Sequence, residues 1–284
     1  MALRINYNLA SSSAQRGLSA SQNAYAKQAT RLSTGLRINT ASDDAAGMAV
    51  SEKLKNQVRG LNQAQRNAQD GISLIQTAEG GLAETHSILA RMRELAIQSA
   101  SDTLKNADRL NLEAEFTQLK AEVQRIADTV QFNGTKLLNQ TGAVNTTFQI
   151  GANNGDTLVL VLTNNNHGGG TASGTAGLAI DTAAKATVTS LADAVTTITS
   201  LDAAINQVSA NRANLGAVQS RLESASRSIA VASENTAAAN SRVADADIAQ
   251  SMSELVRAQI LQQAGISVLA QANQAPALVL QLLK

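Results

Sequence analysis

The sequence predicts a mainly α-helical protein, in which long antiparallel helices form coiled-coil-like bundles and a small β-hairpin lies near the middle of the chain. Two observations support this prediction. Apolar and small residues recur at alternating steps of three and four over stretches longer than most helices of compact domains. Bulky core-forming side chains are scarce, because aromatic residues make up 2% of the 284 residues and tryptophan is absent. Stability must therefore come from many small contacts along extended helix interfaces.

The longest periodic stretch predicts a single long first bundle helix. Its stripe consists of Leu61, Ala64, Ala68, Gly71, Ile75, Ala78, Leu82, Thr85, Leu89, Met92, Ala96 and Ser99. At about 1.5 Å per residue this stretch is roughly 60 Å long. Asp43 and Asp44 lie at the predicted start of a helix, where carboxylates accept backbone N–H bonds and meet the positive end of the helix dipole. We therefore interpret both as capping residues.

Two further helices and a hairpin are predicted between this stretch and the C-terminal segment. One helix carries the stripe Leu112, Phe116, Leu119, Val123, Ile126 and Val130, and the other the stripe Leu191, Ala194, Ile198, Leu201, Ile205, Val208, Arg212, Leu215, Gln219, Leu222, Ser226 and Ile229. The Asn133-Gly134 pair predicts a tight turn after the first of them. Residues 146–150 and 157–163 are rich in β-branched residues and flank a turn-like segment, so they predict a hairpin. Residues 164–177 have the composition of a flexible loop.

Both ends of the chain carry thinner stripes that are partly polar. The N-terminal stripe is Leu18, Gln22, Tyr25, Ala29 and Leu32, and the C-terminal stripe contains Met252, Leu255, Gln259, Gln262, Ile266, Leu269, Asn273, Leu280 and Leu283. Helix nucleation is costly, and these stripes offer little apolar area to offset the lost chain entropy. We expect the terminal helices to become ordered only when neighbours supply packing.

The composition argues against several classes of function. A net charge of +1, with no basic cluster interleaved with aromatics, does not favour nucleic-acid or membrane-surface binding. No apolar run reaches the ~18 residues of a membrane span, and no cleavable secretory signal is recognisable. Without cysteine there is no disulfide or thiolate metal site. His86 and His167 lack companion ligands, and no catalytic motif occurs, so we expect neither an enzyme nor a cofactor.

Particular strings resemble the bacterial flagellins. The N-terminal strings are RLSTGLRINTASDDAAGMAV at 31–50 and LNQAQRNAQDGISLIQTAEGGL at 61–82. The C-terminal strings are LGAVQSRLESA from Leu215 and RAQILQQAGISVLAQANQAPALVLQLLK from Arg257. The similarity spans about residues 1–155 and 190–284. It indicates a short flagellin that lacks large outer domains.

The resemblance implies a structural subunit that is secreted and polymerises into the helical flagellar filament for motility. Residues 1–40 and 243–284 are expected to form an inner pair of helices around the filament channel. Residues 41–242 are expected to form an outer helical rod with the hairpin, and residues 164–180 a variable loop in place of further domains. A hook–filament junction protein, which shares the terminal helices, is the alternative.

The resemblance also implies partners and contact residues, and no cofactor. The partners are further copies of the chain, the flagellar export apparatus with an export chaperone, and the filament cap and junction proteins. Residues 90–97 are similar to the stretch that engages toll-like receptor 5, which implies contacts at Arg91, Glu94 and Leu95, with Glu115 on the next helix. From the residues alone, these charges indicate an ordinary exposed helix face. The C-terminal residues Val279, Leu280, Leu282, Leu283 and Lys284 are similar to the segment that inflammasome sensors bind, and they are expected to take part in polymerisation.

Overall fold

The computed structural model describes residues 8–139, 144–162 and 186–282. In chain order these residues form α1 (Leu9–Thr34), α2 (Ala45–Ser99), α3 (Asn106–Thr129), β1 (Gln131–Phe132), β2 (Thr135–Lys136), β3 (Val144–Gln149), β4 (Thr157–Leu162), α4 (Leu191–Ala244) and α5 (Ile248–Leu282). The predicted fold class is confirmed. The chain divides into two compact units, one made of Met1–Val58 and Glu234–Lys284, the other of Arg59–Ser233.

The core of the Arg59–Ser233 unit follows the stripe of α2. Every position of the predicted stripe from Leu61 to Ser99 is buried. The apolar residues of α3 and α4 that belong to the same core are Phe116, Val123, Ile126, Ala127, Leu201, Ala204, Val208, Leu215 and Leu222. Because so few of these side chains are aromatic, the core is long and narrow, and each helix turn contributes a small share of the buried area.

Helices α2 and α4 run antiparallel in this unit, as three polar contacts show. Ser233 Oγ lies 2.8 Å from Asn62 Oδ1. Further along α2, Glu79 accepts a 3.5 Å hydrogen bond from Arg212, and then Arg93 donates a 2.6 Å bond to Asp202. Residue numbers rise along α2 as they fall along α4, so the predicted antiparallel arrangement is confirmed for this pair.

The main hairpin closes one side of the core. Strands β3 and β4 pair antiparallel, with Thr147 opposite Val159. Burial alternates along β4, so that Leu158, Leu160 and Leu162 join the core while Val159 and Val161 are exposed. The predicted hairpin is confirmed in these residues. The predicted loop at 164–177 and the variable loop at 164–180 lie outside the described residues.

A second, shorter hairpin follows α3 and was not predicted as such. The Asn133-Gly134 pair forms its two-residue turn, with φ of 48° and 77°. Positive φ at both positions is the geometry that favours Asn-Gly, so the predicted tight turn is confirmed. Strands β1 and β2 have two residues each, too few to produce an alternating pattern. They direct the following Leu137 and Leu138 into the core, where each is almost fully buried.

A buried arginine closes the end of α2. The Arg109 guanidinium is 6% exposed and donates to the Ser99 carbonyl oxygen at 2.9 Å and to the Ser101 carbonyl oxygen at 3.0 Å. The Ser99 carbonyl, at the last residue of α2, has no further helical turn to pair with and carries the negative end of the helix dipole, whereas the Ser101 carbonyl also accepts the Leu104 N–H at 3.3 Å. Ser99 in turn donates through Oγ to the Val188 carbonyl oxygen at 2.6 Å, which holds the segment before α4 against α2.

Two adjacent glycines of α2 offer a test of this packing. A Cβ on Gly81 would lie 2.7 Å from a Val130 methyl carbon and 2.9 Å from a Leu138 methyl carbon, whereas a Cβ on Gly80 would meet nothing within 4 Å. We expect Gly81→Ala to destabilise the protein by about 1–3 kcal/mol through overpacking. We expect the control Gly80→Ala to stabilise it by about 0.5–1 kcal/mol through higher helix propensity. Urea unfolding followed by circular dichroism measures both, and equal shifts would contradict the packing.

Candidate assembly surface and receptor-contact cluster

Helices α1 and α5 pack together through small residues. The α5 positions that face α1 recur at alternating steps of four and three, and they are Ser251, Leu255, Ala258, Gln262, Gly265, Leu269 and Ala272, all buried or half-buried. Leu18 of α1 lies at Gly265, where a Cβ would come within 3.7 Å of the Leu18 Cβ. Near the other end of the pair, Asn8 donates to the Ala272 carbonyl oxygen at 2.9 Å. Small side chains at this seam allow the two backbones to approach closely.

Large apolar side chains of α5 lie away from this seam. Ile248, Met252, Val256 and Ile260 recur every four residues and are 47–59% exposed, and Ile266 is 53% exposed. We call these five residues the α5 apolar face. Leu261 and Val268 are also exposed, on another side of the helix. A helix with apolar residues around most of its circumference is normally buried, and an exposed patch of this kind marks an interaction site.

The predicted stripe of the C-terminal helix is wrong at every second position. Leu255, Gln262 and Leu269 are half-buried in the seam, as predicted. The other predicted positions, Met252, Gln259, Ile266 and Asn273, are exposed, and Ser251, Ala258, Gly265 and Ala272 take their places. The physical reason is that periodicity selects the largest apolar residues, whereas the seam with α1 has a small residue at every second position. Met252 and Ile266 therefore remain exposed in the single chain.

The end of α1 and the start of α5 are joined by a short backbone bridge. Gly35 ends α1 in the left-handed conformation, with φ of 71°. The Arg37 N–H donates to the Ala244 carbonyl oxygen at 2.7 Å, and the Ala246 N–H donates to the Gly35 carbonyl oxygen at 2.9 Å. The Arg37 guanidinium adds a 2.7 Å bond to the Val243 carbonyl oxygen. The end of α1 and the start of α5 are therefore held side by side at this bridge.

The two acidic residues before α2 have different roles. Asp44 Oδ1 accepts the Gly47 N–H at 2.9 Å, which caps α2 as predicted. Asp43 instead accepts the backbone N–H groups of Asn39 and Thr40, each at 3.2 Å, and pairs with Lys27 Nζ at 2.7 Å. The Lys27 ammonium, and then these backbone N–H groups, hold the pKa of Asp43 well below its usual range. Asp43 therefore ties α1 to the connection between α1 and α2.

The predicted receptor-contact residues form a charged cluster on α2 and α3. Arg91 donates through Nε to Glu115 at 3.0 Å and through Nη1 to Glu94 at 3.0 Å. The three side chains are 51%, 44% and 68% exposed, in the order Arg91, Glu115 and Glu94. Glu115, followed by Glu94, raises the pKa of the Arg91 guanidinium above its ordinary value. Two carboxylates thus hold the guanidinium in one orientation at the surface.

The remaining predicted contact residues lie elsewhere. Leu95 is 1% exposed and belongs to the core, so its side chain does not reach the surface that carries the cluster. Helix α5 includes Val279, Leu280 and Leu282, whose side chains lie outside the described part of the structure, as do Leu283 and Lys284 entirely. The structure therefore brings Arg91, Glu94 and Glu115 together on one surface.

Metal-binding clusters and membrane-spanning helices are absent from the described residues. Within 8–139, 144–162 and 186–282, no group of three or more His, Cys, Asp or Glu side chains could hold a metal ion. None of the helices described there is long and apolar enough to cross a membrane. His86 is half-buried on α2, and His167 lies outside the described residues. A cavity of about 20 Å³ between α2, α4 and β4 has room for little more than one water molecule.

Two family models match the chain, one over its N-terminal helical segment and one over its C-terminal helical segment. A family model described as the bacterial flagellin N-terminal helical region matches residues 5–143, and one described as the C-terminal helical region matches residues 198–283. The chain belongs to the flagellin family. Flagellins are structural proteins and not enzymes, so the chain is a subunit of the flagellar filament outside the cell, built by self-polymerisation.

Individual relatives place the chain among flagellins of different lengths. It is 49% identical over 282 residues to a flagellin of Halalkalibacterium halodurans, covering 99% of each chain. It is 56% identical over 135 residues to a flagellin of Clostridium tyrobutyricum, covering 48% of this chain and 36% of that longer one. A solved Vibrio parahaemolyticus structure, described as a flagellar hook-associated protein, matches 72% of this chain and 100% of that one, with a TM-score of 0.61 and 13% identity. That last similarity shows the fold alone.

The lowered pKa of Asp43 predicts a pH-dependent role in stability. A carboxylate with a folded-state pKa below its unfolded value stabilises the protein above the unfolded pKa of about 3.9, and this stabilisation is lost as the pH falls through the folded pKa. We expect Asp43→Asn to lower the thermal midpoint most near pH 7, with the difference from the parent shrinking at pH values well below 4. Asp70→Asn, at an exposed position of α2, is the control. A difference that persists unchanged into acid would contradict this role.

Proposed function

We propose that this flagellin polymerises through its α1–α5 pair, with the α5 apolar face packed against neighbouring subunits. The observation that carries the proposal is the exposure of Ile248, Met252, Val256, Ile260 and Ile266 along one helix. Fully burying one such side chain contributes about 1.5–3 kcal/mol. Five of them, repeated in every subunit, provide enough apolar area for a continuous interface. A contact of this kind between unlike surfaces, repeated by a screw operation, produces an open helical polymer.

The proposed arrangement places residues 1–40 and 243–284 inside the filament and residues 41–242 outside. Among the α5 side chains that the structure describes, at 248–274, seven large apolar ones are exposed, namely Ile248, Met252, Val256, Ile260, Leu261, Ile266 and Val268. Such a concentration is best protected from water at the centre of a polymer. The proposal extends the same contact to the C-terminal residues Val279, Leu280, Leu282, Leu283 and Lys284, on the basis of their resemblance to other flagellins.

The same surface supports the proposed helper partners. A free subunit that exposes the α5 apolar face is prone to aggregation, since exposed apolar patches associate non-specifically. An export chaperone that covers α5 until the flagellar export apparatus receives the chain removes this risk. The filament cap and the junction proteins then meet the two ends of the growing polymer. The alternative role, as a hook–filament junction protein, is less well supported, because the 49% match to a flagellin covers 99% of both chains.

Seeded growth tests the assembly surface. We expect Val256→Ser combined with Ile260→Ser to slow elongation from filament fragments by at least about tenfold, because each lost apolar contact removes on the order of 1 kcal/mol or more. Arg257→Gln, at an exposed polar position of the same helix outside the α5 apolar face, is the matched control. Electron microscopy and sedimentation measure the amount of polymer.

Two results of this experiment would redirect the proposal. Elongation of the double variant at the parental rate would show that the α5 apolar face lies outside the interface. Failure of the parent chain to elongate seeds at any salt concentration would instead favour the junction role. The helix content of the unassembled chains, measured by circular dichroism, checks that both variants start from the same state.

We propose, as a second function, recognition by toll-like receptor 5 through the Arg91 cluster. The supporting observation is that Glu94 and Glu115 hold the exposed Arg91 guanidinium in one orientation, so that little side-chain entropy is lost when a partner binds. The buried Leu95 side chain is not part of the proposed contact.

A receptor reporter assay tests this second function. We expect Arg91→Ala to weaken the response of toll-like receptor 5 by about tenfold or more, as for the loss of a hydrogen-bonded charged contact at an interface. Arg125→Ala is the control, because Arg125 pairs with Glu122 on α3 in a similarly exposed position. Equal responses to both variants, or no response to the parent, would reject the Arg91 cluster as the contact.

A further inference from the structure

Gln28 and Glu254 form a partly buried polar pair at the seam between α1 and α5. Gln28 is 8% exposed, and its Nε2 donates to a carboxylate oxygen of Glu254. Gln250 Nε2 donates to the other oxygen of Glu254 at 3.4 Å. The Gln28 Oε1 atom is buried and has no hydrogen-bond partner among the residues that the structure describes. The unsatisfied carbonyl oxygen offsets the stability gained from the bond to Glu254, so stability alone does not explain why an amide lies here.

Helix α5 offers α1 two competing surfaces. The observed surface alternates small residues, such as Ser251, Ala258 and Gly265, with Leu255, Gln262 and Leu269, whereas the α5 apolar face carries only large apolar residues. Hydrophobic burial within a single molecule favours the large surface. A rotation of α5 by one residue, about 100°, would bring Met252 and Ile266 onto α1. That rotation would hide the α5 apolar face from other subunits.

We propose that the Gln28–Glu254 pair fixes the rotational setting of α5 and keeps the α5 apolar face available for a second copy of the chain. The same rotation would carry Glu254 away from Gln28, leaving the Gln28 amide among apolar side chains with neither its donors nor its acceptor satisfied. The rotated arrangement is thereby penalised more than the observed one. This inference rests on the proposed polymerisation through α5.

The partners of the neighbouring residues make Gln28 suited to this role. Lys27, one position earlier on α1, pairs with Asp43 in the connection that follows α1. Lys27 thus holds α1 to the connection between α1 and α2, and the adjacent Gln28 holds α5 to α1. A single polar residue in a helix seam is known to select one alignment at a cost in stability, because wrong alignments leave it unpaired.

Engineered disulfides can report the rotation, since the chain contains no cysteine. Leu18→Cys with Gly265→Cys reports the observed setting, because the two Cβ positions are 3.7 Å apart, within the range that disulfides require. Leu18→Cys with Ile266→Cys reports a rotation by one residue. Each pair is placed in the parent, in Gln28→Leu, in Gln28→Glu, and in the exchanged variant Gln28→Glu with Glu254→Gln. Mass spectrometry quantifies both cross-links in unassembled chains and in filaments.

We expect Gln28→Leu to raise the ratio of the position-266 cross-link to the position-265 cross-link roughly tenfold, the shift produced by the penalty for one lost buried hydrogen bond. Seeded elongation of the cysteine-free variant should fall to a similar degree, while its thermal midpoint stays at or above the parental value. Gln28→Glu alone should also raise the cross-link ratio and slow elongation, because the new carboxylate would face the Glu254 carboxylate and repel it. The exchanged variant should restore both the ratio and elongation, because an amide and a carboxylate again face each other.

Several outcomes would overturn the proposal. A Gln28→Leu variant with an unchanged cross-link ratio rejects the proposal. If its thermal midpoint falls while the ratio stays the same, Gln28 makes a stabilising contact and has no role in the orientation of α5. An exchanged variant that folds but performs no better than Gln28→Glu also rejects the proposal, and this comparison remains decisive if Gln28→Leu fails to fold. A parent chain that does not elongate seeds rejects polymerisation itself, whereas the ratio still reports the orientation in unassembled chains whose terminal helices are shown by circular dichroism to be folded.

Discussion

The scarcity of bulky side chains is the constraint on which the rest of the structure depends. With aromatic residues at 2% and no tryptophan, no short element can bury enough area to be stable by itself. The buried stripe of α2 solves this problem in the Arg59–Ser233 unit, because helices and a hairpin all pack against one continuous line from Leu61 to Ser99. Buried polar contacts, such as those of Arg109, then close the ends where that line stops.

The other unit meets the same constraint differently. Its two terminal helices pack through a seam in which small residues alternate with larger ones, and five large apolar residues of the α5 apolar face stay exposed. Under the proposed assembly, such a chain would be marginal in isolation and would gain stability with each neighbour, because neighbouring molecules would supply the apolar area that covers α5. Polar contacts such as Lys27–Asp43 and the bridge at Gly35 and Ala246 set the geometry that hydrophobic burial alone would not select.

Much of the helical core could be predicted from the sequence, because a regular stripe identifies a buried face directly. The α2 stripe, the Asp44 cap and the Asn133-Gly134 turn each depend on local chemistry, and each was correctly anticipated. The setting of α5 could not be predicted, since periodicity shows which side is most apolar and not which molecule covers it. The burial of Leu95, beside Ala96 in the stripe, and of Arg109, whose acceptors are backbone carbonyls brought close by the turn between α2 and α3, likewise depends on tertiary packing.

The anchoring of the chain on either side of residues 163–185 has a practical consequence. Leu162 is buried where β4 ends, and Val188 is fully buried with its N–H held by a Glu113 carboxylate oxygen at 2.6 Å. Foreign peptide joined between these two points would be tethered at both ends by the protein's own core. Polymerisation would then repeat the graft at a regular spacing along a fibre, which makes this position a scaffold for multivalent display of epitopes or enzymes.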